Sequence, residues 1–147
     1  MITFETSVRI KRSTEAVFDY VSNPRTFPRW NSAVQDVRPL PGDNGVELPR
    51  YVMERDLPGG RAVNELEVVT CARPTEFVVL TLSGLTPFVY RYRFASENGE
   101  TVVRLDAEVE LDGVASLLAP VAGRAIRRGV DANFRVLKEV LEGRGSR

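Results

Sequence analysis

Residues 88–141 read FVYRYRFASENGETVVRLDAEVELDGVASLLAPVAGRAIRRGVDANFRVLKEVL, and the spacing of their apolar side chains changes once along the way. Up to Leu111 the period is two. Tyr90, Tyr92 and Phe94 alternate with Arg91 and Arg93, and Val103, Leu105, Ala107 and Val109 alternate with Arg104, Asp106 and Glu108. Successive side chains of a strand point to opposite faces, so each run is a strand with one apolar and one wet face. Asn98-Gly99 between them suits a tight hairpin, because both residues tolerate positive φ. After Asp112-Gly113 the recurrence becomes three or four, through Leu118, Val121, Ile126, Val130, Phe134, Leu137 and Leu141. That pattern is the apolar stripe of a long helix. Pro120 removes a backbone hydrogen bond, so the helix starts near it or bends there.

A stripe of this length needs a sheet to cover it. Ile2, Phe4, Thr6, Val8 and Ile10 alternate with Thr3, Glu5, Ser7, Arg9 and Lys11, which predicts a half-buried first strand. Ser13 or Thr14 caps a helix carrying Ala16, Val17, Tyr20 and Val21, which Asn23-Pro24 ends. A second short helix is expected over 24–30. Further strands are expected at 34–40, 46–57, 61–71, 76–82, 88–96 and 101–111, divided by Pro41-Gly42, Asn44-Gly45, Pro58-Gly59-Gly60, Arg73-Pro74, Ser83-Gly84 and Asn98-Gly99. The expected fold is α+β: a seven-stranded curved antiparallel sheet around a long C-terminal helix, with two short helices between strands 1 and 2. Residues 1–142 are expected to form one domain, and 143–147 a flexible tail.

Composition removes whole classes of chemistry. The 147 residues contain no histidine, which excludes Ser-His-Asp triads, Cys-His dyads and histidine-containing zinc sites. A catalytic proton would travel through Asp, Glu, Tyr, Lys or water. Cys71 is the only cysteine, which excludes an internal disulfide, fits a reducing cytoplasm, and predicts a small buried hydrophobe. Twenty basic residues balance twenty acidic ones, so no long-range field favours nucleic acid or an anionic membrane. Residues 1–11 alternate instead of forming a signal-peptide block, and no apolar run is long enough to span a bilayer. There is no Walker loop, no glycine-rich dinucleotide fingerprint after a strand and no paired metal ligands, so neither cofactor nor metal is expected.

Several motifs together carry a resemblance. They are Phe4-Glu5 to Ile10; Ala16-Val17-Phe18-Asp19-Tyr20-Val21 followed by Asn23-Pro24; Trp30 at the end of the second helix; Asn98-Gly99-Glu100-Thr101; Gly113 with Leu117-Leu118-Ala119-Pro120; and Leu137-Lys138 with Leu141-Glu142. With the order of elements, they make the chain similar over residues 1–142 to the START-like, Bet v 1-like (SRPBCC) superfamily, in its bacterial polyketide cyclase/dehydrase and lipid-transport branch. The resemblance implies a helix-grip fold with a hydrophobic cavity between sheet and terminal helix. Such cavities serve lipids, sterols, polyketides, quinones or plant hormones, and only sometimes catalysis.

Candidate ligand-binding residues follow from which face each position takes. Tyr90 and Tyr92 point inward, either to orient a polar ligand group or as core aromatics with satisfied hydroxyls. Phe27 and Trp30 form a cavity wall or anchor the second helix. Tyr51, Met53 and Arg55 share a strand face; an inward Arg55 would pair with a ligand carboxylate, Glu65 or Glu67, while a solvent-facing one is the commoner arrangement. Leu105 belongs to the apolar face of the last strand. Leu118, Val121, Ala122 and Ile126 are expected to face the sheet, with small Ala122 leaving room, although core packing explains them equally well. Glu65 and Glu67 share a face, as acid/base chemistry would need, but Leu66, Val68 and Thr70 compete for the interior and leave the glutamates to water. Arg124, Arg128 and Arg135 form a stripe that could touch phosphate, but Asp131 interrupts it and the net charge is zero, so it reads as a solvated face. No catalytic residue is assigned. The expected activity is binding of a lipid, quinone or polyketide-like molecule. The alternatives are a cyclase or dehydratase acting on an aromatic polyketide, and a protein-interaction module of the co-chaperone or ribosome-associated kind. The expected partner is a hydrophobic small molecule, with no nucleic acid, no integral membrane segment and at most a weak homodimer.

Overall fold

A computed structural model describes residues 1–40, 50–57, 60–81, 86–111 and 119–143. The first strand, β1 (Ile2–Ile10), keeps its alternation, with both ends buried and the odd positions exposed. Ser13 caps α1 (Thr14–Val21) by accepting from the Ala16 N–H, one of the donors that a helix start leaves unpaired. The expected second helix is a 3-10 turn, Pro24–Thr26, running into α2 (Phe27–Trp30). The remaining strands are β2 (Val34–Pro39), β3 (Arg50–Leu57), β4 (Gly60–Ala72), β5 (Glu76–Thr81), β6 (Phe88–Glu97) and β7 (Glu100–Val109), followed by α3 (Ala119–Leu141). The part of the third expected strand before Arg50, and Leu118, lie outside the described residues.

All seven strands form one antiparallel sheet in the order β1-β7-β6-β5-β4-β3-β2. The chain makes a meander from β2 to β7, and β1 closes onto β7 with Ile2 opposite Val109 and Ile10 opposite Thr101. Asn98 (φ 54°) and Gly99 (φ 78°) form the tight turn that the dipeptide predicted. The sheet curves around α3, giving the helix-grip fold. The inner face is the core: Met53, Leu66, Phe77, Val79, Tyr92, Phe94, Val103 and Leu105 are buried together with Phe134 and Leu137 from α3.

Two sets of contacts seat α3. Its last turns are held by polar groups at the β1–α1 corner: Lys138 Nζ donates to the Arg9 carbonyl (2.7 Å), Arg12 Nη1 to the Leu141 carbonyl (2.8 Å), and the Lys11 N–H to Glu142 Oε2 (2.9 Å). Cations here also complement the negative end of the helix dipole. In mid-helix, the Thr6 hydroxyl donates to Asp131 Oδ1, and the Ser32 N–H to Asn133 Oδ1. Toward its start α3 comes close to the sheet edge at Gly123, where a Cβ would stand 3.3 Å from Ile2 Cγ2.

Two sequence expectations are corrected. Cys71 is exposed: it lies one residue from the end of β4, beside the β4–β5 turn, where the strand reaches the rim of the sheet. Val121 is 65% exposed and turns away from the sheet; Ala122 and Ile126, one turn apart, carry the half-buried face instead.

Candidate functional site

Strand alternation puts Met53 and Arg55 of β3, Ala62, Asn64, Leu66 and Val68 of β4, Thr81 of β5 and Phe88, Tyr90 and Tyr92 of β6 on the inner face. Most of these side chains are apolar, so the polar ones stand out. Arg55 is 9% exposed, which settles its direction: it points inward and away from bulk water. This corrects the expectation of a solvent-facing Arg55. Its Nε and Nη2 both donate to Asn64 Oδ1, at 3.2 and 2.8 Å, and not to Glu65 or Glu67, the protein partners expected of an inward side chain. Glu65 is exposed and Glu67 partly so, on the opposite face of β4. Asn64 was not singled out from the sequence. Counting back in twos from Val68 and Leu66 reaches it, and a polar amide in that apolar row was the available signal.

The guanidinium carbon of Arg55 lies 5.5 Å from the centroid of the Phe88 ring, within cation–π range. Phe88 stacks obliquely on Tyr90 at 4.5 Å between centroids, and Tyr90 meets Tyr92 edge to face at 6.3 Å. Tyr92 packs on Phe77 (5.9 Å) and reaches Phe134 of α3 (6.4 Å). Phe134 in turn meets Trp30 (6.5 Å), which packs on Phe27 (5.6 Å). An unbroken series of rings thus joins the centre of the sheet to α2 through the helix. Phe27 and Trp30 are buried, and Trp30 Nε1 donates to the Thr26 hydroxyl at 3.4 Å, so they anchor α2 at the end of this series.

Neither the Tyr90 nor the Tyr92 hydroxyl has a hydrogen-bond partner among the described residues. Burial pushes the Tyr90 hydroxyl up to about 12, opposed by the nearby positive Arg55. Burial, with Tyr90 adding to it, pushes Tyr92 higher still. Arg55 is shifted downward, chiefly by burial and against the pull of Tyr90. At neutral pH both phenols are therefore hydrogen-bond donors, and Arg55 is a cation. Tyr51, Tyr90, Ala122, Ile126 and Val130 remain partly accessible although they pack against the core. Leu105 is fully buried opposite Thr6 and Tyr92 and belongs to the floor. Chemically, the arrangement can accept an apolar body on the aromatic rings and an oxygen-bearing end at Arg55 and Tyr90. Among the described residues no cluster of His, Cys, Asp and Glu could hold a metal ion.

A curved sheet closed over a long helix, with a buried cation and phenols on the face between them, defines a helix-grip protein of the START-like class. The family model for polyketide cyclase / dehydrase and lipid transport matches residues 1–142, and the chain belongs to that family. Among solved structures it is similar to a START superfamily protein from Mycobacterium smegmatis, at 19% identity and a TM-score of 0.72, covering 99% of this chain and 98% of that one. A conserved protein from Geobacillus kaustophilus gives a TM-score of 0.79 at 14% identity, over 95% of each chain. The di-domain ARO/CYC StfQ from the steffimycin biosynthetic pathway matches at 14% identity and a TM-score of 0.69, over 95% of this chain and 46% of that one. At these identities the likeness is one of fold. A search of curated proteins finds no match. No helix among the described residues is long and apolar enough to cross a membrane.

Proposed function

We propose that this protein binds a hydrophobic small molecule between the sheet and α3, holding the oxygen-bearing end of that molecule at Arg55 and Tyr90. The observation that carries this reading is Arg55 itself. A guanidinium brought onto an apolar inner face, and fixed by Asn64 over Phe88, is costly to desolvate and is well placed to meet a carboxylate, carbonyl or enolate. Tyr51, Met53, Tyr92, Leu105, Ala122 and Ile126 form the apolar surroundings in this reading. Phe27 and Trp30 lie at the far end of the ring series, and Val121 has no part in it.

Trp30 is the only tryptophan, so its emission reports on the ring series. Titration with hexadecanoic acid, a quinone and an aromatic carboxylic acid is expected to give saturable changes for at least one class, weakened tenfold or more in Arg55→Gln. Absence of saturable binding across all three, or equal binding by the variant, rejects the reading.

A cyclase or dehydratase is the second reading, and the placing of Arg55 beside the Tyr90 hydroxyl is what favours it. Both on the inner face, the two groups would polarise a bound carbonyl while the surrounding walls impose a ring-closing geometry. Tyr90→Phe retaining full turnover of an aromatic polyketide would exclude Tyr90 from that chemistry.

A further inference from the structure

A groove of about 450 Å³ runs along the seam between the first residues of β1 and the first turns of α3, lined by Met1, Ile2, Phe4, Pro120, Arg124 and Arg127 among others. It lies apart from Arg55, on the side of the molecule where β1 forms the sheet edge. Met1 is 69% and Val121 65% exposed, two of the four large apolar side chains that stand exposed among the described residues. Pro120, Val121, Arg124, Ala125, Arg127 and Arg128 are all exposed, and no acidic residue occurs from Ala119 to Val130. Arg124 and Arg128 make no ion pair among the described residues, and Arg127 meets Asp131 only at 4.0 Å.

We propose that this rim docks the protein on an anionic lipid surface, with Met1, Pro120 and Val121 entering the headgroup layer and Arg124, Arg127 and Arg128 pairing with lipid phosphates. Protruding apolar side chains ringed by arginines suit an interface that is apolar just below a charged plane. A soluble polyanion would use the arginines and leave Val121 and Met1 in water. The zero net charge of the chain is no obstacle, since screening confines the attraction to about 10 Å at 0.1 M salt. Glu5 and Glu108 are exposed and alternate onto the outer face of the sheet, opposite to that of Ile2 and Phe4. The floor of the groove, Ile2 and Phe4, belongs to the inner face, so the docked edge is also a side of the interior.

Sedimentation with vesicles of phosphatidylcholine plus phosphatidylglycerol, against phosphatidylcholine alone, tests the proposal with the full chain. Binding only to the acidic vesicles, released by salt, is expected. Arg124→Glu/Arg127→Glu should weaken it by about tenfold or more, given roughly a fivefold contribution per arginine near such a surface. Val121→Ser should weaken it severalfold, and Arg55→Gln should leave it unchanged, which separates this surface from the interior site. All of these side chains but Arg55 are exposed, so melting curves should match the parent; if the double variant fails to fold, Val121→Ser carries the test. No binding to acidic vesicles, undiminished binding by both rim variants, or displacement of the vesicles by an equally tight single-stranded oligonucleotide overturns the proposal.

Discussion

Arg55 stands over the Phe88 ring at 5.5 Å although β3 and β6 are not neighbours, with β4 and β5 lying between them. Upright side chains three strands apart on a flat sheet would be separated by about 14 Å. The contact therefore records the curvature of the sheet as well as the reach of the arginine. Asn64, 1% exposed, holds the guanidinium in place by accepting two of its N–H groups.

Replacing Asn64 by Leu keeps the volume and removes that acceptor. Leaving buried donors of a charged group short of a partner costs about 1–3 kcal/mol. Urea denaturation is expected to show a loss of this size. Arg55→Met added to Asn64→Leu should recover part of it, because apolar groups replacing both partners leave nothing to desolvate. A double variant weaker than Asn64→Leu alone would contradict this account.

Phe134 is 2% exposed and links Tyr92 to Trp30. Its truncation to Ala opens a cavity where the helix, α2 and the sheet meet, and should cost about 3–5 kcal/mol. The emission of Trp30 should shift in the same variant. A small stability change with unaltered emission would mean that the ring series closes up without it.

The two glycines of α3 should respond differently. A Cβ at Gly129 would have nothing within 4 Å of it, so Gly129→Ala should raise stability by about 0.5–1 kcal/mol through helix propensity alone. At Gly123 the same change meets Ile2 at 3.3 Å and should gain less, or lose. Thermal melts of the two variants decide it, and equal gains would show that the edge of β1 yields freely.

Alkali should unfold the protein through its phenols. Below pH 10 Tyr90 is neutral in the folded and unfolded chains alike, and burial raises its folded value to about 12. Between those limits the unfolded chain releases the proton first, so stability is lost as pH rises through that window. Denaturation midpoints should fall from pH 10 upward, and Tyr90→Phe should flatten the fall. A midpoint independent of pH there would show that Tyr90 ionises in the folded state without cost.

What could be read in the sequence was whatever depends on period. The alternation of Tyr90, Tyr92 and Phe94, the turn at Asn98-Gly99 and the stripe through Phe134, Leu137 and Leu141 each depend on near neighbours and reappear in place. Cys71 escaped because its burial was judged from residue type alone, whereas its place one residue from the end of β4 exposes it. Val121 escaped because two adjacent apolar positions near a helix start fit the stripe equally well, and only the line of Gly123 against Ile2 chooses between them. Asn64 could be counted inward along β4 from Leu66 and Val68, but its pairing with Arg55 required the register that has Met53 opposite Asn64. That is a relation between strands, which no single-strand pattern contains.

The polar attachments of α3 crowd toward Leu141. Local opening of the helix should therefore be graded: amides of its final turns exchange with solvent only when the whole fold opens, while those near Pro120 exchange through cheaper, partial excursions. A hydrogen-exchange profile rising from the carboxyl end to the amino end would mark Lys138 and Arg12 as the pivot about which this lever swings.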